Sequence, residues 1–315
     1  MKIVLQYRAS PGFRARFAGD GATASMATAA VDEMDADAFA REAADAEVLF
    51  HVLKPVTAEM IDQAPRLKLI QKLGVGVNTI DLDAARARGV AVCNMPGVNS
   101  QAVAEMTLAL ILAVLRRLTY FDPLVRRGEG WLPELAVLDR VGEVGGRTVG
   151  LLGYGDVPRR LAPVLASLGA DVIYAARNRK AAAVGEFVAF EDLLERSDIL
   201  SLHAPLTEQT RGILSREALG RMKPGAILIN TARGELVDQQ ALAEALAGGR
   251  LAGAGLDVFA GEPIGQSDPL LSLPNVVLTP HVAWLTPETL GRSLTAGFEN
   301  CRRLVAGEPL NNRVV

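Results

Sequence analysis

The stretch RTVGLLGYGDVPRRLAPVLASLGADVIYAARN, residues 147–178, admits few folds. A short apolar run meets a glycine-rich turn, an amphipathic stretch follows, and a second apolar run closes the unit. Two strands joined through a helix are parallel, and a parallel sheet must be covered by helices on its faces. The rest of the chain repeats the theme. Apolar runs recur in IVLQY, EVLFHV, LKLIQKLGVGVNTID and GVAVCNMPG, then in SDILSLHAPL, GAILINTARG, LAGAGLDVF and NVVLTP. Helical patterns separate them: DADAFAREAADA, DLDAARARG, a long run from Ser100 capped by Asn99 or Ser100, REALGRM, DQQALAEALAGG, and a last helix in TPETLGRSLTAGFENCRRLVAGE. The expected class is α/β, built as two units with a break near residue 100. Sequence order alone does not say which unit takes the last helix.

Composition narrows the partners. With 315 residues the chain is comfortable for two cores, and half of it is hydrophobic. A net charge of −3 excludes a surface built to neutralise nucleic-acid phosphates. The longest apolar run, MTLALILAVL, is about half of a membrane span. The first residues, MKIVLQYRAS, start a strand and lack a secretory apolar core. Cys93 and Cys301 are too sparse for a disulfide scaffold, and no metal-binding spacing exists. These features give the expectation of a cytoplasmic protein with reduced thiols and no nucleic-acid, membrane or metal partner.

The glycine turn points to a dinucleotide. Gly153 permits the tight turn after the strand, and Gly155 lets backbone approach a pyrophosphate resting on the helix N-terminus. Gly153, Tyr154, Gly155, Asp156 and Val157 are therefore the expected phosphate-side residues, Asp156 and Val157 through their N–H groups. Pro158 stands where a third glycine is usual; proline is tolerated in a first helical turn and is expected to push the helix slightly from the sheet. The next strand ends in Ala176, where an NAD site would carry an acid for the ribose hydroxyls, and Arg177, Asn178 and Arg179 follow. The missing acid and the added cations favour a 2′-phosphate, hence NADPH, with NAD as the other possibility.

Three charged residues stand at later strand ends. Arg233 follows GAILINTA, Asp257 and Glu262 bracket the end of LAGAGLDVF, and His281 follows NVVLTP. In a parallel sheet these C-terminal ends lie side by side, where ligands bind. Each residue alone has a bland reading as a surface or structural group. Together they make the set that hydride transfer to a 2-keto acid needs. Arg233 would pair with the carboxylate and polarise the carbonyl. His281 would protonate the developing alkoxide, and Glu262 would orient the ring and favour its charged form. Asp257 could accept from the nicotinamide carboxamide.

GVGVNTIDLDAARARGVAVCNMPGVNSQAVAE, TVGLLGYGDV, LHAPLTEQTRGIL, MKPGAILINTARGELVD, GLDVFAGEP and LTPHVA together resemble the D-isomer-specific 2-hydroxyacid dehydrogenase family, over nearly the whole chain. The resemblance implies two Rossmann-like domains with an interdomain cleft. One would be a discontinuous, flavodoxin-like substrate domain, about 1–99 plus 286–315. The other would be a doubly wound NAD(P)-binding domain, 100–285. It implies catalysis by Arg233, Glu262 and His281, with substrate carboxylate gripped by backbone at Val75 and Gly76. It places His203, Ala204, Pro205 and Thr210 along the cofactor, and Thr231, Ala232 and Asp257 near the nicotinamide. It also implies a homodimer through the cofactor domains, with residues 120–140 as a crossing arm.

Trp284 departs from the small residue usual in the family. Two readings of Trp284 stay open: as a pocket wall it joins the substrate-binding residues and favours glyoxylate or hydroxypyruvate, and as core between the domains it says nothing of the substrate. The leading expectation is thus an NADPH-dependent glyoxylate/hydroxypyruvate reductase. Two others stay open: an NAD-dependent dehydrogenase of D-lactate, phosphoglycerate or phosphite, and a non-enzymatic cofactor-sensing scaffold.

Overall fold

Runs such as Val48–His51 and Ile199–Leu202 are buried at every position, as strands covered on both faces must be. The computed structural model describes residues 1–131 and 133–315. The chain divides into two units, Met1–Asn99 with Leu285–Val315, and Ser100–Trp284.

In the first unit, β1 (Lys2–Gln6), α1 (Pro11–Thr23), β2 (Ala27–Val31), α2 (Ala36–Ala43), β3 (Val48–His51), α3 (Ala58–Asp62), β4 (Leu69–Lys72), α4 (Leu82–Ala87) and β5 (Ala91–Cys93) alternate. The sheet is parallel throughout, in the order β2-β1-β3-β4-β5. This is the flavodoxin-like order. Neither α1 nor β2 stood out in the pattern of apolar runs and helices. Three glycines blur the helical pattern of PGFRARFAGDGAT, although Phe13, Phe17 and Gly21 keep one buried face. β2 is an alanine-rich edge strand, mostly half-buried.

The second unit opens with α5 (Ser100–Leu115), α6 (Leu118–Arg126) and α7 (Leu135–Leu138). It continues through β6 (Thr148–Leu152), α8 (Asp156–Ser167), β7 (Asp171–Ala175), β8 (Glu186–Phe187), α9 (Phe190–Arg196), β9 (Ile199–Leu202) and α10 (Arg216–Arg221). It closes with β10 (Ile227–Asn230), α11 (Gln239–Ala247), β11 (Gly253–Leu256) and β12 (Val276–Leu278). Seven parallel strands run β12-β11-β10-β9-β6-β7-β8. The order reverses between β6 and β9, which makes a switch point beside the glycine turn. The long apolar run at 106–115 is the middle and end of α5, buried against this core at Leu110, Ile111, Val114 and Leu115. No helix among the described residues is long and apolar enough to cross a membrane. The last helix, α12 (Pro287–Ala306), belongs to the first unit. The two parallel α/β units are the architecture expected of a Rossmann-like cofactor domain and a substrate domain.

Candidate active site

The glycine turn is built for close approach. Gly153 has φ +99°, and a Cβ there would lie 2.8 Å from backbone atoms of His203 and Ala204. The end of β6 can therefore sit against the end of β9 only with glycine at 153. Helix α8 starts at Asp156 with Gly155 as its cap. The N–H groups of Gly155, Asp156 and Val157 have no acceptor among the described residues, and Pro158, buried in the first turn, has none to satisfy. A Cβ on Gly155 would meet nothing within 4 Å, so open space stands in front of these donors. That arrangement fits a pyrophosphate. Tyr154 contributes backbone alone. Its hydroxyl donates to Val184 O (3.1 Å) and accepts from Val184 N (2.8 Å), and its ring packs 4.4 Å from Tyr174.

Beyond β7, Ala176 is half-buried while Arg177, Asn178 and Arg179 are exposed, with no side-chain hydrogen bond or ion pair among the described residues. His203 is a neutral ring: burial pushes it down to about 3, and its Nε2 pairs with Ser201 Oγ at 2.9 Å. Ala204 backs Gly153. The Thr210 hydroxyl donates to Pro205 O at 2.6 Å and accepts from Thr207 N at 2.8 Å, so it folds the loop that carries Pro205. Thr231 is buried, its hydroxyl 2.8 Å from that of Thr107 on α5.

The loop after β10 is organised by a residue the sequence reading passed over. Asn230 accepts from Ala232 N (3.0 Å) and donates to Arg233 O (2.8 Å). This is an Asx-turn, and an asparagine at the end of a strand before the Thr-Ala-Arg-Gly turn was its sequence signal. It presents Arg233, whose Nη1 donates to Ala232 O at 2.6 Å. Burial holds this guanidinium below its usual range, against the pull of Glu235 and Glu262. Gly234 lies where a Cβ would be 1.9 Å from the carbonyl carbon of Phe259, so the Arg233 loop and the loop after β11 touch backbone to backbone.

That second loop carries Glu262. Its Oε1 accepts from Phe259 N (3.0 Å), which fixes the carboxylate, and its Oε2 lies 2.6 Å from His281 Nδ1. Burial by itself raises this carboxyl; the bond and charge of His281, Phe259 N–H and Arg233 outweigh it and leave Glu262 below the ordinary range. Glu262 thus pairs with His281 and feels the charge of Arg233, so the residues predicted at three separate strand ends act on one another. With Nδ1 engaged, His281 Nε2 is the nitrogen left for a ligand.

Asp257 and Trp284 both hold the loop around His281. Asp257 is 0% exposed. Its carboxylate takes Thr279 Oγ1 (2.6 Å), Val282 N (2.9 Å) and Ala283 N (2.9 Å), which anchors the loop around His281. Burial still lifts it above the usual range, with these bonds and His281 opposing. Trp284, read as a pocket wall, is 7% exposed, and its indole N–H donates to His281 O at 2.9 Å. A buried ring with its N–H spent on backbone is core, not wall.

In the first unit, the loop after β4 is pinned by Asn94 Nδ2 to Val75 O (2.8 Å) and Met95 N to Gly74 O (2.8 Å). The N–H groups of Val75 and Gly76 are left without an acceptor among the described residues. Among the described residues no group of three or more His, Cys, Asp or Glu could hold a metal ion.

Comparison with known proteins gives this geometry its context. Residues 108–283 match the family model described as D-isomer specific 2-hydroxyacid dehydrogenase, NAD binding domain. A glyoxylate reductase of Aeropyrum pernix is 40% identical over 284 residues, 87% of this chain and 84% of that protein. A D-3-phosphoglycerate dehydrogenase of Mycobacterium leprae is 40% identical over 293 residues, 92% of this chain but 52% of that longer protein. Among solved structures, the TT0316 protein from Thermus thermophilus superposes with a TM-score of 0.89 at 38% identity, with 100% of both chains covered. Ser100–Trp284 is accordingly an NAD(P)-binding domain, and the chain is an enzyme for oxidoreduction of a small 2-hydroxy or 2-keto acid. It belongs to the D-isomer specific 2-hydroxyacid dehydrogenase family.

Proposed function

We propose that the chain reduces a short 2-keto acid to the D-2-hydroxy acid with NADPH, glyoxylate and hydroxypyruvate being the first substrates to consider. The observation that carries this reading is the 2.6 Å contact of His281 Nδ1 with Glu262 Oε2, with Arg233 beside the same carboxylate. When bound, the reduced nicotinamide supplies the hydride. Arg233 takes the substrate carboxylate in a charged fork and draws electron density from the carbonyl. His281 Nε2 gives its proton to the carbonyl oxygen, and Glu262 holds the ring in the tautomer and orientation this requires. The N–H groups of Val75 and Gly76 are the backbone donors we assign to the carboxylate.

The preference for NADPH is supported by Arg177 and Arg179, two exposed guanidiniums without a protein partner, and by Ala176 in place of an acid. The glyoxylate reductase relative supports the substrate class. The phosphoglycerate dehydrogenase relative, equally identical over a longer match, supports a second reading in which the acid is larger and the cofactor NAD.

We further infer a homodimer through the cofactor domains, with residues 120–140 as the crossing arm. Trp131 (91% exposed) and Leu135 (79%) stand out with Leu118 and Val125, an apolar surface that a second copy would cover. Two buried, unpaired thiols, Cys93 and Cys301, fit a cytoplasmic setting.

The test is a panel of glyoxylate, hydroxypyruvate, pyruvate and 3-phosphohydroxypyruvate against NADPH and NADH, with chiral analysis of product. The highest kcat/KM is expected for glyoxylate or hydroxypyruvate with NADPH, giving the D acid where the product is chiral. A maximum for 3-phosphohydroxypyruvate with NADH selects the second reading. Oxidation of neither cofactor by any acid ends both.

A further inference from the structure

We propose that Trp284 is a positioning residue for the proton donor: its indole N–H holds the carbonyl of His281, and with it the backbone conformation that aims the imidazole at Glu262 and leaves Nε2 for substrate. The proposal rests on the reading of His281 as proton donor given above.

Among the described residues His281 is one of four non-glycine residues at positive φ (55°), with Ser25, Arg117 and Asn312. A side-chain-bearing residue stays in the left-handed region only where its surroundings over-determine it. Here they do so from two sides. On the amide side, His281 N donates to Asp257 O (2.8 Å), and the next two N–H groups, of Val282 and Ala283, go to the Asp257 carboxylate. On the carbonyl side, Trp284 Nε1 donates to His281 O at 2.9 Å. Asp257 and Trp284 therefore hold the peptide plane that leaves His281 from its two ends, Asp257 at the Val282 N–H and Trp284 at the His281 carbonyl.

The donor is local and rigid. Trp284 follows His281 by three residues, and its ring is buried, so the N–H cannot swing away as an exposed side chain would. Phenylalanine, leucine or alanine at 284 would supply bulk or space but no donor. Without it the peptide between His281 and Val282 is held only at its N–H end, by Asp257, and the carbonyl end can move as φ of His281 relaxes from the left-handed region. The imidazole, attached to the same Cα, turns with it, and the 2.6 Å bond to Glu262 lengthens. Proton delivery suffers, while the glycine turn that holds the cofactor, on a separate segment, does not.

Two variants separate positioning from packing. Trp284→Phe removes the N–H and some volume. Site-specific replacement of Trp284 by benzothienylalanine removes the N–H and keeps the shape. Both are expected to lower kcat about tenfold, in line with the loss of one hydrogen bond. The KM for reduced cofactor is expected to stay within about twofold, as the phosphate-side donors are untouched. The second readout is the downfield proton of His281 Nδ1–H, which is resolvable because the chain has only three histidines. It is expected to be sharp in the parent and broadened or lost in both variants, while His51 and His203 serve as internal references.

A benzothienylalanine protein with parental kcat and a sharp downfield proton overturns the proposal. If Trp284→Phe fails to fold, the isosteric variant still decides. If the parent turns over no 2-keto acid, the functional reading fails separately, and the proton spectrum still tests whether the indole sets the ring.

Discussion

Glu262 Oε2 holds His281 Nδ1 at 2.6 Å, and its other oxygen is fixed by Phe259 N–H. Burial opposes the charge, yet the contacts win and the carboxyl titrates below its ordinary value of 4.5. A carboxyl depressed on folding binds its proton more weakly in the native state. Its stabilisation is therefore complete above about 4.5 and is lost as pH falls through the lower native value. Glu262→Gln should remove that acid-side loss of stability, read from denaturant midpoints across the acid range. The same variant should lower kcat by about 10- to 100-fold, since an amide that can turn its NH2 toward Nδ1 no longer fixes the ring's tautomer and orientation. An unchanged kcat contradicts the orienting role.

The approach of Gly234 to Phe259 yields a prediction independent of charge. An added methyl would lie 1.9 Å from a carbonyl carbon and 2.1 Å from its oxygen, backbone atoms that cannot step aside as a side chain tip can. Gly234→Ala should cost about 1–3 kcal/mol in stability by overpacking. It should also cut kcat/KM for the keto acid more than tenfold, because Arg233 is the preceding residue and a small misplacement of a substrate clamp is expensive. Equilibrium unfolding and steady-state kinetics measure the two effects separately.

At the end of β7, Arg177 is exposed and makes no ion pair. Arg177→Asp places an acid near the position where a ribose 2′-hydroxyl would be met and removes a cation that a 2′-phosphate would use. The ratio of kcat/KM for NADPH over NADH should fall by about 10- to 100-fold, as expected for one charge-assisted hydrogen bond of about 1.5–3 kcal/mol. Fold stability should hardly move, since an exposed side chain without partners is replaced. An unaltered ratio removes the case for NADPH.

How much of this was legible in the sequence depends on the kind of interaction. The alternation of apolar runs with helices gave the two parallel sheets, and strand ends gave Arg233, Glu262 and His281, because a parallel sheet puts loop residues at one edge whatever their spacing. What stayed hidden was carried by contacts between loops. Gly234 reads as an ordinary turn glycine until Phe259 is seen against it. Asn230 looks like a strand-end asparagine until both ends of its amide are found in the next turn. Trp284 read equally as wall or core, since the sequence shows its size and not the direction of its N–H. Tyr154 lies within the glycine turn, yet its side chain turns inward to Val184.

Asp257 supplies the last prediction, since its titration runs opposite to that of Glu262. It is fully buried, and burial lifts its carboxyl above the ordinary 3.8 despite three hydrogen bonds and His281. The native state therefore holds this proton more tightly than the unfolded chain does. Its contribution to stability is greatest below about 3.8 and declines as pH rises from there through the raised native value. Asp257→Asn should abolish that decline. The amide cannot copy the carboxylate, however: Val282 N–H and Ala283 N–H point at different oxygens, and an NH2 group must face one of them. One buried donor left without an acceptor should cost about 1–3 kcal/mol at neutral pH. Because the loss falls on the loop that carries His281, kcat should drop while cofactor affinity, measured by fluorescence titration, stays close to the parent. Equal losses in both would mean that Asp257 touches the cofactor after all.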